Sequence, residues 1–524
     1  MSSLSYVDIA VLLVYAVSIF ALAQWVSREK AGHVKDSKDY FLASRALPWW
    51  AVGTSLIAAN ISAEQIIGMS GSGYVIGLGI ASYEWMSALT ILIVGKFFLP
   101  IFLKNQIYTM PEFLQRRYGH SIRLVTAVFW LALYILVNLT SILWLGATAI
   151  HTVTGIDIQL ALIALGVFAG AYALYGGLKA VALTDIVQVS LLVLGGLVIV
   201  YIALEKISGH SGIAGVVSGF QTLEAQLPGK FQMILSPDNP NYSNLPGLSV
   251  LVGGMWIMNL SYWGFNQYII QRALAAKDTR EAQKGIVLAS FLKLLMPVLV
   301  VLPGIAAGVL APHLERADMA YPYLMTLLPP GLLGLVFAAL IAAIIASMGS
   351  KINSIATIFT IDLYKPAFRN ASETHLVVVG RIAAVVALIV AILAAKPLLG
   401  NLPQAFQYIQ EYSGFVTPGI VVIFVLGMFW PRATTAGAFV AAVGSVVFSF
   451  LYWKYWPQVP FMNRIGYVFL MCLGAAMLVS LLQPRRAKTS TIDLMDIDYS
   501  TSWSFNIAGA VVIAVLIALY YTFW

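Results

Sequence analysis

The sequence predicts an all-α integral membrane protein of about fourteen transmembrane helices, two of them discontinuous. Three observations predict it. Of 524 residues, 60% are hydrophobic and 10% charged, where a soluble domain is about a quarter charged. Apolar stretches of about 20 residues, each able to cross about 30 Å of hydrocarbon, recur from end to end, with basic residues in alternate loops between them. Two of the stretches are broken by polar residues, with five spans from one break to the next.

In chain order the spans read 4–26, 49–71, 80–103, 122–150, 157–175, 181–203, 249–270, 283–310, 332–361, 376–397, 404–430, 434–453, 463–482 and 503–523. They follow one another almost without a gap, so residues 1–524 read as a single membrane domain. The first, near Leu4 to Trp25, is too long for a signal peptide's apolar core and lacks a basic n-region, so it reads as a span. Arg28, Lys30, Lys35, Lys38 and Arg45 follow it. Lys104, Arg116, Arg117 and Arg123 follow the third span, Lys179 the fifth, and Arg272, Lys277, Arg280 and Lys284 the seventh. Lys365 and Arg369, then Arg432, then Arg485, Arg486 and Lys488 continue the alternation. The positive-inside rule puts these loops in the cytoplasm and both termini outside. The net charge of +8 is thereby accounted for without a nucleic-acid partner. Cys472, the single cysteine, excludes a disulfide framework and a cysteine metal cluster.

The second span carries the first interruption. From Trp49 the chain is apolar until Asn60, Ile61, Ser62, Ala63, Glu64 and Gln65, and a glycine–serine cluster, Gly68 to Gly73, follows. Glu84 lies in the next span. Polar, glycine-rich backbone at membrane depth is tolerated only where it is buried in protein or lines a watery cavity, and a carboxyl group there is costly and has a function by default. The seventh span repeats the pattern in NLSYWGFNQYIIQR: Asn259, Ser261, Asn266 and Gln267 alternate with Tyr262, Trp263 and Phe265, and Gly264 offers a break. Paired discontinuous helices at matching places in two halves point to an inverted-repeat secondary transporter with its site at the midplane. The halves are 49–203 and 249–430, with 4–26 and 434–523 peripheral. The alternative is a pair of amphipathic core helices with their polar atoms tied to neighbours.

Lys293 stands nine residues beyond Lys284, about 14 Å along a helix, and needs a polar ligand or a partner. The structural alternative is an ion pair with Glu84 or Glu64. Gln410 and Glu411 lie in AFQYIQEY, where Phe406 and Gln410 share a face; an aromatic interface belt is the alternative there. Amides, a carboxylate, an ammonium and aromatics together suit a neutral polyhydroxyl ligand. Each hydroxyl donates and accepts, and an aromatic face covers the C–H side of a sugar ring.

The segments SLIAANISAEQIIGMSGSGY, ASYEWMSA, LYGGLKAVALTDIVQV, YWGFNQYIIQRALAAK, NSIATIFTIDLYK and AFQYIQEYSGFVTPGI resemble the solute:sodium symporter family, nearest its bacterial sodium/galactose (sodium–glucose type) cotransporters. The resemblance runs nearly end to end. It implies a LeuT-like five-plus-five inverted repeat in a bacterial plasma membrane, and uptake of a hexose, galactose or glucose, by alternating access. It implies sodium as the co-transported ion and no cofactor. It places sugar contacts on Gln65, Glu84, Ser87, Asn259, Lys293 and Gln410, with Asn60 steadying an inner gate formed by Tyr262. Met69, Tyr83 and Phe406 match an outer apolar lid.

At the ion site the match departs. The resemblance implies backbone ligands at Ala58, Ile61 and Ala343 and two adjacent hydroxyls, but here those two positions are Ala346 and Ser347. Lys351 follows Ser347 by one turn, and Asp185 matches an acid beside the sodium exit route. Three readings follow. Sodium binds with the lost ligand replaced by water, Asp185 or Ser350 while Lys351 points into an inner vestibule; or the Lys351 ammonium replaces sodium and its protonation is coupled to transport; or transport is uncoupled. His33, His120, His151, His210, His313 and His375 fall in loops or near span ends, which argues against a proton relay in the core. HExxH and GxSxG motifs are missing from the sequence, and in GMSGSG the third glycine is misplaced for a nucleophile elbow, so the sequence does not read as an enzyme. A sugar-gated channel or sensor is the remaining alternative.

Overall fold

The computed structural model describes residues 4–27, 47–107, 109–175, 178–402, 404–483 and 491–524; for 19, 20, 22–27, 172–175, 178–185 and 373 it describes the backbone alone. Regular structure among these residues is helical, apart from one parallel bridge between Leu47 and Ala276. Hydrocarbon favours this outcome, because a helix satisfies its own backbone groups. The basic residues read at 28–45 and 485–488 lie outside the described residues.

Among the described residues nine helices are long and apolar enough to cross a bilayer, and the pair Ala405–Ser413 and Thr417–Phe429, bent by 47°, makes a tenth if taken as one. Fourteen spans were read from the sequence. Part of the difference has a physical origin: the spans read at 49–71 and 249–270 are each cut into helices too short to cross alone.

The first cut falls at Ile61, whose φ of −68° and ψ of 105° are extended. It ends the helix Trp49–Asn60, and the chain resumes through a π turn, Glu64–Gly68, into Met69–Val75. Ser62 restarts it: its Oγ accepts from the Glu64 N–H at 3.2 Å, and its carbonyl accepts from Gln65 and Ile66. The Gly68–Gly73 cluster is not part of the break but helical. Its small residues admit neighbours: a Cβ on Gly73 would stand 2.7 Å from the Val301 carbonyl oxygen.

The second cut falls at Asn266 (φ −82°, ψ 120°), between the π turn Ser261–Phe265 and the helix Gln267–Leu274. Gly264, read as the breaker, is instead a packing residue, since a Cβ there would meet the Phe98 ring at 2.9 Å. The Tyr134 hydroxyl donates to Asn266 Oδ1 at 2.6 Å.

Two long helices hold the breaks in register. Thr279–Leu310, begun by an Asp278 cap on the Glu281 N–H, packs on Trp49–Asn60, Met69–Val75 and Ser82–Ile93. Leu332–Thr357 packs against Trp49–Asn60 and Gln267–Leu274. The Leu47 N–H donates to the Ala275 carbonyl at 3.2 Å and the Lys277 N–H to the Leu47 carbonyl at 3.1 Å. Arg272 Nε donates to Ser55 Oγ at 3.2 Å.

Candidate functional site

Beside the two breaks lies a cavity of about 900 Å³, its mouth included. Asn60, Gln65, Glu84, Ser87, Asn259, Tyr262, Lys293 and Gln410 all line it, as do Met69, Tyr83 and Phe406. Residues up to 350 positions apart in the chain are thus gathered at one place by the two breaks and by Thr279–Leu310.

The polar floor is one connected network. Lys293 Nζ donates to Glu84 Oε2 at 2.5 Å and to Asn60 Oδ1, and lies 4.9 Å from the centre of the Trp263 ring. Gln65 Nε2 donates to Glu84 Oε1. Ion pairing to Glu84 is therefore what the structure gives Lys293, of the two acids open to it. The lysine side chain is fully buried and the glutamate is 2% exposed, so each charge depends on the other. Ser87 Oγ sits 2.6 Å from Asn259 Oδ1 and accepts from Trp263 Nε1 at 2.9 Å. Asn259 Nδ2 and the Tyr83 hydroxyl are buried without a hydrogen-bond partner among the described residues. These two groups, the Gln65 and Gln410 amides and Glu64, which also lines the cavity, are among the polar groups it offers a guest.

The wall formed by Met69, Tyr83 and Phe406 is apolar; the two rings meet edge to face at 5.2 Å. Beside Asn60, Tyr262 takes a hydrogen bond from Asn60 Nδ2 at 3.1 Å and one from the Tyr268 hydroxyl at 2.9 Å. Glu411 turns away from the cavity to pair with Arg464 at 2.5 Å.

The sequence reading passed over Trp130, Tyr134 and Asn138 as cavity residues, and named Trp263 and Asn266 in the second interruption without giving them a sugar contact. Asn138 carried a usable signal, a lone amide in the apolar run LYILVNL. The aromatics carried none, since aromatic residues in an apolar run are ordinarily packing.

Ala58, Ile61, Ala343, Ala346 and Ser347 do not line this cavity. They lie on Trp49–Asn60, at its break, and on Leu332–Thr357. Ser347 Oγ is buried without a partner among the described residues. Lys351 does not point into a vestibule. It is 1% exposed, pairs with Glu64 Oε2 at 3.1 Å, and lies 5.1 Å from the centre of the Tyr268 ring. The side chain of Asp185 lies outside the described residues.

Residues 40–444 match the model of the sodium:solute symporter family. The chain is 51% identical to the sodium/glucose cotransporter of Vibrio parahaemolyticus, over 99% of each chain. It is 34% identical to the sodium/myo-inositol cotransporter 2 of Homo sapiens, over 82% of this chain and 67% of that one. Among solved structures, a Na+-coupled sialic acid symporter in a substrate-bound outward-open state superposes with a TM-score of 0.77 at 23% identity, covering 92% of this chain and 99% of that one. Mhp1, a nucleobase-cation-symport-1 family transporter, superposes at 0.57 and 13% identity, over 87% and 98%. These two establish a shared fold.

Proposed function

Because the chain belongs to the sodium:solute symporter family, we propose that it couples sodium influx to the uptake of a hexose by alternating access. It is a sodium-coupled solute symporter and a multi-pass membrane protein, not an enzyme; sodium is a co-transported ion and no cofactor is used. The observation that carries the hexose reading is the cavity itself. A carboxylate–ammonium pair, several amides, a serine and an indole converge on one space with Asn259 Nδ2 left unpaired. Sugar hydroxyls complete such a set because each both donates and accepts, and a solute lacking one leaves a buried group unpaired. The Vibrio relative's printed solute, glucose, supports the same reading.

In this reading Asn60, Gln65, Glu84, Ser87, Asn259, Lys293 and Gln410 hold the sugar. Met69, Tyr83 and Phe406 close over it from outside, and Tyr262 yields inward. Ala58, Ile61, Ala343 and Ser347 bear the sodium, and Asp185 flanks its exit. Ten of fourteen crossings form repeats at 49–203 and 249–430, with 4–26 and 434–523 peripheral; both termini lie outside, and the membrane is the plasma membrane. One charge crossing 100 mV supplies about 2.3 kcal/mol, enough for a roughly fiftyfold sugar gradient at 1.4 kcal/mol per decade.

The test is uptake of labelled galactose, glucose and myo-inositol into proteoliposomes under sodium and potassium gradients. Hexose accumulation under sodium alone is expected. Equal uptake in both gradients sinks the coupling, and a preference for myo-inositol over both hexoses sinks the substrate.

A further inference from the structure

The ion site that the resemblance implies is one hydroxyl short in this chain, because Ala346 precedes Ser347. The structure brings another oxygen to the same region. Glu64 follows Ile61 by three residues on the second piece of the broken helix, and Lys351 follows Ser347 by four on the facing helix. Their ion pair therefore joins the two walls that carry the implied sodium ligands. Glu64 is 8% exposed and spends only Oε2 on Lys351; Oε1 is buried and has no partner among the described residues. Ser347 Oγ, 5% exposed, has none either. Two buried oxygens without partners, one from a carboxylate, are costly unless something completes them. Hard cations take oxygen ligands, and past Ile57, whose carbonyl accepts from the Ile61 N–H at 2.8 Å, the last carbonyls of Trp49–Asn60 run out of helical partners at the break.

We propose that Glu64 is a ligand of the coupling ion, replacing the hydroxyl missing at position 346, and that Lys351 is a tethered cation that competes with sodium for it. This rests on the sodium-coupled reading above. The ammonium keeps its proton throughout. When sodium takes Glu64, Lys351 swings off the carboxylate toward the Tyr268 ring, which already lies 5.1 Å away and offers a cation–π seat. One cation replaces another at the carboxylate, so Glu64 is never left as an unpaired buried charge. Because Tyr268 belongs to the helix beyond the second break, the exchange acts on both broken helices.

The test is equilibrium binding of sodium-22 to the purified full-length protein without sugar, alongside the sodium K0.5 of galactose uptake in proteoliposomes. Removing a unit charge this close to the ion is expected to lower both constants by about tenfold or more in Lys351→Met and Lys351→Gln. Glu64→Gln is expected to raise them by a similar factor, and the double variant Glu64→Gln with Lys351→Met loses the gain. If Lys351→Met fails to fold, Lys351→Gln, which keeps a donor toward Glu64, carries the test. Unchanged or raised constants in the lysine variants overturn the competition. An unchanged constant in Glu64→Gln overturns the ligand assignment. Sodium-22 affinities that shift as expected while the wild-type protein takes up neither galactose nor glucose sink the hexose reading and leave this proposal standing.

Discussion

Replacing Glu84 by glutamine leaves the Lys293 ammonium inside the protein with amide oxygens as its remaining acceptors. That ammonium is fully buried, 2.5 Å from Glu84 Oε2 and bonded also to Asn60 Oδ1. Breaking a buried pair by removing one partner costs about 3–5 kcal/mol, whereas replacing both partners by apolar residues of similar volume is often neutral. Glu84→Gln and Lys293→Met are therefore each expected to lower the melting temperature in detergent and to abolish sugar uptake. The double variant Glu84→Met with Lys293→Met separates the two losses. It regains most of the melting temperature, since no charge is stranded, but regains no uptake, since the groups that meet the hydroxyls are gone. Separately from stability, losing a charged hydrogen-bond partner of a sugar hydroxyl costs about 1.5–3 kcal/mol of binding, roughly ten- to a hundredfold at 1.4 kcal/mol per decade, readable by isothermal calorimetry. Uptake restored in the double variant would refute the reasoning, because the pair would then be a strut and not part of a binding site.

Two further outcomes follow from groups away from the polar floor. Asp318, in the loop after Thr279–Leu310, accepts from the Ala405 N–H at 3.0 Å and so caps the helix that bears Phe406 and Gln410. Burial holds its carboxyl up at about 7, against the Arg316 charge and the Ala405 N–H, which pull it down. The packed loop then binds the Asp318 proton more tightly than a solvated one. The stability it contributes is full below the free carboxyl's 3.8 and is lost as pH rises through about 7. Hydrogen exchange across Ala405–Ser413, corrected for intrinsic rate, is expected to be slower at pH 6 than at pH 8, with Asp318→Asn flattening the difference; a flat wild-type profile contradicts this. Separately, a Cβ on Gly304 would stand 2.0 Å from the Ser70 carbonyl oxygen, so Gly304→Ala is expected to cost about 1–3 kcal/mol or more of stability, and an unshifted melting curve counts against the packing described.

Hydrocarbon makes a lone polar residue legible, because it leaves that residue few other uses. Gln65, Glu84, Asn259 and Lys293 each stand out in an apolar run, and each lines the cavity. The breaks were legible only to within a few residues. Gly264 reads as the weak point, but its missing side chain makes room for Phe98, and the chain opens at Asn266, whose partner Tyr134 is 132 residues away. No local pattern announces such a bond. Lys351 misled for a related reason: its depth along the span suggests a side chain reaching toward water, and only the fold sets Glu64 across from it.

The short parallel bridge at Leu47 and Ala276 has a mechanical consequence. It splices the start of one divided helix to the end of the other by two peptide hydrogen bonds, and Arg272 rivets the same two segments through Ser55. Neither half-rod is then free to swing alone. In the proposed function these are the cytoplasmic halves; on that proposal ion and sugar leave for the cell interior in a single stroke of one jointed lever, and a cut in that splice would let either cargo slip without the other.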